Sequence, residues 1–411
     1  MEFKEMNNKI AVPSRSTVTL EVVNGDLIIG RNSTVKGTGT PPKLIVAGTA
    51  YCEGNNVLEC DLSAENLEAE GNLTVHGDLS IKNRVEIDDG HLEVYGTMMA
   101  KRADVDEALF VSKDLVSEEI DVGGTLKVDG IVKAEEIDVG GSFKAKGAVN
   151  VSKIDVGGSL STESKVEIKT LDVGGAAKVN GGRINRIDVG GSFESTGQLE
   201  FESIDVGGMV LLANKSNGCK IDVGGSFKVE GDLTFETIDV GGKVEIKGSG
   251  EGEEIDVGGK LAVDGSLKLS GTLDVGGKVE IGDKISAENI DVGGVLRAKK
   301  AIAADSVEVG GSINTVEGTI GHFVEIGKRG EVHGLIKADE VDIGKEARVE
   351  DIFGKRVILR NGAQAENIYG ESITIESNCR VNGMIQYTSE VKLGDNVSLA
   401  QAPQKVDKLP C

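Results

Sequence analysis

Residues 221–237 read IDVGGSFKVEGDLTFET. Three pairs of apolar residues run through this stretch: Ile221 and Val223, Phe227 and Val229, Leu233 and Phe235. One polar residue separates the members of each pair, which is the period of two expected of a strand with one buried face. Gly224, Gly225 and Gly231 stand between the pairs, so each pair fits one short strand and each gap one sharp corner, where a positive φ favours glycine. The stretches from Ile137 (Ile137, Val139, Phe143, Ala145, Val149, Val151) and from Ile255 (Ile255, Val257, Leu261, Val263, Leu267, Leu269) read the same way.

The unit recurs. The aspartate of IDVGG or LDVGG falls at 121, 138, 155, 172, 188, 205, 222, 239, 256, 274 and 291. Each step is 17 residues except for one of 16 and one of 18. VEVGG with Glu308, VEIGK with Glu325 and VDIGK with Asp342 continue the beat, which fades through Val357, Ile373 and Val391. Backwards it runs through Ala103, Val85 and Leu67. No segment shows the pattern of a helix of ten residues or more. Self-similarity at this period is the signature of a solenoid. One unit makes one three-sided coil, and stacked coils pair their strands in parallel. Roughly 22 coils from about Val18 to Leu399, spaced about 4.8 Å apart, are expected. Four segments follow: an N-terminal tail over 1–17, irregular first coils over 18–66 with a loop at Pro41-Pro42, a regular β-helix over 67–399, and a C-terminal tail over 400–411.

Composition agrees and narrows the function. Among 411 residues there are 58 glycines but only 5 prolines, against collagen and against a Pro/Gly linker. Aromatics are 3% and tryptophan is absent, so the core must be Val, Ile and Leu. Acidic residues outnumber basic ones 68 to 45, a formal charge of −23. Such a surface repels nucleic-acid phosphate and anionic lipid, so no nucleic-acid partner is expected. No apolar run is long enough for a transmembrane helix, and MEFKEMNNKI lacks the apolar core of a secretory signal. Cys52, Cys60, Cys219, Cys379 and Cys411 are odd in number and scattered, unlike a disulfide framework or zinc cluster. A reduced, cytoplasmic protein is the expectation.

Strings such as IDVGGSFKAKGAVNVSKIDVGG (residues 137–158), in units near 17 residues between short tails, resemble the bactofilins, the polymer-forming cytoskeletal proteins. The resemblance covers roughly residues 67–399. It implies a right-handed parallel β-helix that polymerises end to end, without nucleotide, into non-polar filaments. It also implies a scaffold tied to membrane, cell-wall or chromosome machinery. Family members usually have a shorter helical core and Pro-rich tails, whereas this chain has a longer core and almost no proline. The spacing alone does not fix handedness. Pairs with two large members, such as Phe227/Val229 and Leu267/Leu269, favour the right-handed form over the left-handed hexapeptide helix, which places a small residue two before each aliphatic. Some family members associate with the membrane or cell envelope through an N-terminal anchor. Phe3, Met6 and Ile10 have helix-like spacing here, but Glu2 and Glu5 cancel Lys4 and Lys9, so the residues themselves read as a tail.

Candidate chemistry is sparse. Aspartates of IDVGG, stacked about 4.8 Å apart, repel by roughly 1 kcal/mol even at the dielectric of water. Either each carboxylate caps the amides of its GG corner, as in an Asx turn, or hard cations sit between coils; capping is the expectation. His76, His91, His322 and His333 share no phase in the repeat, so none reads as the positioned base of a left-handed acyltransferase. The segment GSGEGEE (248–254) lacks the lysine and helix of a phosphate loop and reads as a corner insertion. No catalytic residue, cofactor or metal ligand is picked out. A non-enzymatic structural protein is expected, the alternatives being a surface or adhesive β-helix and a carbohydrate-active β-helix enzyme. Assembly contacts are expected where a solenoid must leave strand edges unpaired, at its end coils. The candidates are Val18, Leu20 and Val22 at one end and Ile385, Tyr387, Val397 and Leu399 at the other, with self as the partner.

Overall fold

A computed structural model describes residues 9–213 and 215–410. Every regular element among them is a β-strand. Parallel strands about 17 residues apart form a β-solenoid of about 23 turns. Contacts divide the chain into two units, Met1–Gly207 and Gly208–Cys411, each built of such turns.

In the second unit, the stretch that opened the sequence reading forms strands Lys220–Val223, Ser226–Val229 and Leu233–Thr234. All six of its apolar residues point inward and are buried. The next turn lies in strict register, Ile221 against Ile238, Phe227 against Val244 and Leu233 against Gly250. In the first unit the same pattern holds, Ile137 pairing with Ile154 and Phe143 with Leu160. There, two successive strands often merge around a corner, as in Val149–Val156. Each inward aliphatic contributes about 1.5–3 kcal/mol on burial, so stability is approximately a sum over turns and their neighbour contacts.

The paired glycines serve a different purpose from the one expected. None of the DVGG glycines has a positive φ. They are needed because successive corners stack backbone on backbone: a Cβ at Gly140 would lie 2.3 Å from Gly123 O, and one at Gly141 would lie 2.5 Å from Gly124 O. Left-handed non-glycine residues occur instead towards the two ends of the chain, where the corner is built differently. Arg15, Asn32 and Asp89 hold positive φ in the first unit, and Arg329, Glu346, Asn378 and Asn396 in the second.

Segment boundaries also shift. The first strand is Lys9–Val12, inside the expected tail, and it pairs with Asp26–Ile29. Residues 18–66 keep the turns but contain one enlarged turn: Leu27 pairs with Ala50 and Val35 with Leu58, each 23 residues on. The extra residues form a loop closed by an antiparallel bridge between Thr38 and Lys43, with a cis Thr40-Pro41 bond. The GSGEGEE segment is no corner insertion. Gly250–Gly252 is a strand paired with Leu233–Thr234 before it and Leu267–Leu269 after it. In the expected C-terminal tail, Gln404–Lys405 forms a strand against Gln386 and Tyr387.

Candidate assembly surfaces

Interior turns satisfy their main-chain groups through the turns before and after. End turns do not, and unpaired edges are templates for further strands. In the first unit, Lys9–Val12, Thr17–Thr19 and Val22–Val23 each have a partner strand on one side only among the described residues. Val18 is buried against Val35, Leu20 is half-buried, and Val22 is 51% exposed beside Ile45, itself 47% exposed. The inward residues Val12 and Val23 are buried. Residues 1–8, with Phe3 and Met6, lie outside the described residues, and Ile10 is half-buried in the first strand.

The last turn of the second unit is more open. Val391 pairs with Ile373, Leu393 with Ile375 and Leu399 with Val381. Ile373, Ile375 and Val381 are fully buried, yet one turn later Val391, Val397 and Leu399 are half-buried and Leu393 is 46% exposed. The same core positions therefore change from buried to open at this edge. Of the expected contact residues here, Ile385 is buried and Tyr387 half-buried, its main chain covered by Lys405. Leu393 escaped the sequence reading, although its inward phase follows from Ile375 one turn earlier.

The aspartates do form columns. In the first unit, Glu68, Glu86, Asp104, Asp121, Asp138, Asp155, Asp172, Asp188 and Asp205 stand in register on consecutive turns. In the second, the column runs from Asp222 to Asp342, where Ile358 ends it. The expected Asx capping is not how they are accommodated. The corner amides are already committed to the previous turn: Gly140 donates to Val122 O and Gly141 to Gly124 O, both at 3.0 Å. Partial burial, then the carboxylates on the turns before and after, push Asp121, Asp172, Asp256 and Glu325 above their ordinary values. Arginines tie the columns near their outer ends. Arg84 Nη2 donates to Glu86 and Asp104 at 2.8 Å each, and Arg360 bridges Asp342 and Glu376 at 2.5 and 3.2 Å.

Elsewhere the titratable groups are structural neighbours. His76 stacks on Tyr95, His91 meets Phe110 edge-on, and His322 and His333 bond Asp339 and Glu350 one turn on. Burial pushes the Cys52 thiol up to about 12 and Cys60 to about 11; Cys411 lies outside the described residues. No group of three or more His, Cys, Asp or Glu side chains among the described residues is arranged to hold a metal ion. Among the described residues no helix is long and apolar enough to cross a membrane.

Compared with family models, curated proteins and solved structures, the chain gives no significant match to any of them. The solenoid and its end turns therefore carry the functional reading.

Proposed function

We propose that this chain is a non-enzymatic structural protein that assembles with copies of itself, without nucleotide, by stacking terminal turns end to end. The observation behind this reading is the open last turn: Val391, Leu393, Val397 and Leu399 occupy core positions that are buried one turn earlier, and beyond Gln386 and Tyr387 their strands have no further partner strand among the described residues. A second copy stacked on that turn covers the apolar residues and completes the parallel ladder in one step. Repetition produces a filament, as the resemblance to bactofilins also implies, and a cytoplasmic scaffold is the role that fits. The acidic columns set a condition on assembly. Filaments that run side by side place like charge against like charge, so lateral bundling is opposed at low salt while end contacts, which are apolar, are not.

Negative-stain microscopy of the purified protein without nucleotide tests this. Filaments that lengthen with protein concentration are expected. Particles of one fixed length at every concentration and salt would overturn the reading.

A further inference from the structure

The open last turn is not wholly bare. Past Leu399 the chain returns to it: Gln404 and Lys405 pair with Gln386 and Tyr387, and Val406 donates its N–H to Tyr387 O at 2.9 Å. From there half-buried residues recur at every third position, Pro403, Val406 and Leu409, with exposed residues between them. A three-residue period in extended chain is that of a segment resting on a surface by one edge.

Leu409 and Pro410 form part of the wall of a groove of about 590 Å³, whose other side is Ile320, Gly321, Ala338, Phe353 and Gly354, with charged side chains such as Lys337 and Asp339 among its lining. Its origin is legible in the register. Gly321, Ala338, Gly354 and Gly370 stand one above another on four turns. A Cβ on Gly354 would lie 2.9 Å from Val357 Cγ2, and one on Gly370 would lie 2.9 Å from Ile373 Cγ1. The backbone here rests directly on the core, so the wall is drawn in and its outer side is hollow. Phe353, stacked on Tyr369 with centroids 4.4 Å apart, forms one apolar wall of the hollow. Small residues floor the hollow, and Leu409 and Pro410 close one side of it, Leu409 half-buried there.

We propose that the segment Pro403–Pro410 is a releasable cap. Leu409 and Pro410 latch it against the wall of the groove, and the latched segment occupies the Gln386–Tyr387 edge. An incoming copy needs that edge, so the cap must leave before a neighbour stacks on it. This rests on the end-to-end reading above. The cap holds by one short strand pairing and a few half-buried side chains. A full terminal turn offers a longer ladder and the cover of Val391, Leu393, Val397 and Leu399, so it displaces the cap when the local concentration of copies is high. The cap thereby sets a threshold for assembly.

The test compares the full chain with Leu409→Asp and, on the groove wall, Phe353→Ser. Two readouts are taken: hydrogen exchange of the Val406 amide below the assembly threshold, and the threshold itself by sedimentation. Both variants are expected to exchange Val406 at least about tenfold faster and to assemble at a concentration at least about fivefold lower. Unchanged exchange in both variants would overturn the latch. Faster exchange with an unchanged or higher threshold would overturn the control of assembly. If neither parent nor variants assemble at any concentration, the end-to-end reading fails and the assembly control fails with it, while Val406 exchange alone still decides the latch.

Discussion

The ring of Phe235 occupies the space into which a side chain at Gly252, one turn later, would project: a Cβ there would lie 2.3 Å from Phe235 Cε2. Both residues face the same column of the core, and the large one is accommodated because its successor has no side chain. The glycine-rich stretch around Gly250 and Gly252 is therefore a packing partner of Phe235. Gly252→Ala should destabilise the protein by about 1–3 kcal/mol, the usual cost of overpacking a tight core. In a Phe235→Leu background the same change should cost little or become favourable, since alanine favours an ordered strand over glycine. Urea denaturation of the four proteins of the cycle gives the coupling, expected at about 0.5–3 kcal/mol. Additive effects would show that the two positions do not share the space.

Gly141 and Asn378 make opposite demands on their corners. Gly141 has an ordinary φ but stacks against Gly124 O, whereas Asn378 has φ 63°. Gly141→Ala should therefore destabilise by about 1–3 kcal/mol through backbone collision. Asn378→Gly should change stability by no more than a few tenths of a kcal/mol, because asparagine already tolerates the left-handed region. Thermal melts of the two variants check the contrast. If corner glycines acted only by allowing positive φ, Gly141→Ala would be silent.

Burial, then the carboxylates of Asp155 and Asp188 stacked on either side, raise the cost of ionising Asp172. Asn is nearly isosteric and uncharged, so Asp172→Asn should leave the fold intact and raise the melting temperature slightly. Asp256→Asn, flanked by Asp239 and Asp274 in the second unit, should behave alike. Because the residues are exposed, the gain per site is small and should shrink as salt screens the column. Calorimetry at low and high salt measures both. A loss of stability in either variant would mean that the carboxylate makes a contact that amide cannot.

The pH dependence follows from two groups of carboxylates with opposite signs. Asp121, Asp172, Asp256 and Glu325 are raised, so their ionised forms oppose folding at neutral pH, and that opposition is relieved as pH falls through their raised values. Glu245 and Glu280 are lowered to about 2 by hydrogen bonds from Lys243 and Lys247 and from Lys260 and Lys278. Their contribution is complete above the ordinary glutamate value of 4.5 and is lost as pH falls towards about 2. Stability should thus rise as pH falls from neutral into the range of the raised carboxylates, and the contribution of Glu245 and Glu280 should be lost between 4.5 and about 2. The net charge of −23 pushes in the same direction over the first part of that range. Melting temperatures across the series should peak on the acidic side; a monotonic fall from pH 7 would rule out net repulsion in the columns.

The interior turns were legible because each states its pattern in full: Ile221, Val223, Phe227, Val229, Leu233 and Phe235 alternate where they must. The acidic columns were legible for the same reason, since a constant phase on a constant period forces register. What alternation could not reveal was why the glycines are there, because a collision between Gly141 and Gly124 O exists only once the turns are stacked. Nor could it reveal the strand at Gln404–Lys405, two polar residues with no apolar pattern, held by the edge of Gln386 and Tyr387. The groove is a further case. Gly354 and Gly370 look like corner residues in sequence and are mid-strand positions in register.

The end turns give the sharpest test of assembly. Val397 and Leu399 are half-buried, Leu393 is 46% exposed, and all three continue core columns that are closed one turn earlier. A charge placed on any of them in the separate molecule stays partly in water and should cost the fold little. Buried in a contact with a second copy, the same charge would lose its hydration without a partner, at a cost of several kcal/mol. Leu393→Lys, Val397→Asp and Leu399→Asp should therefore each abolish filaments, while the β-sheet circular dichroism and melting temperature stay close to the parent's. On the first turn, Leu20→Asp should act in the same way if that turn receives the neighbour. Microscopy and sedimentation at matched concentrations decide the matter. Should all four variants polymerise as well as the parent, the molecules must associate through their sides, and the acidic columns rather than the end turns would then control it.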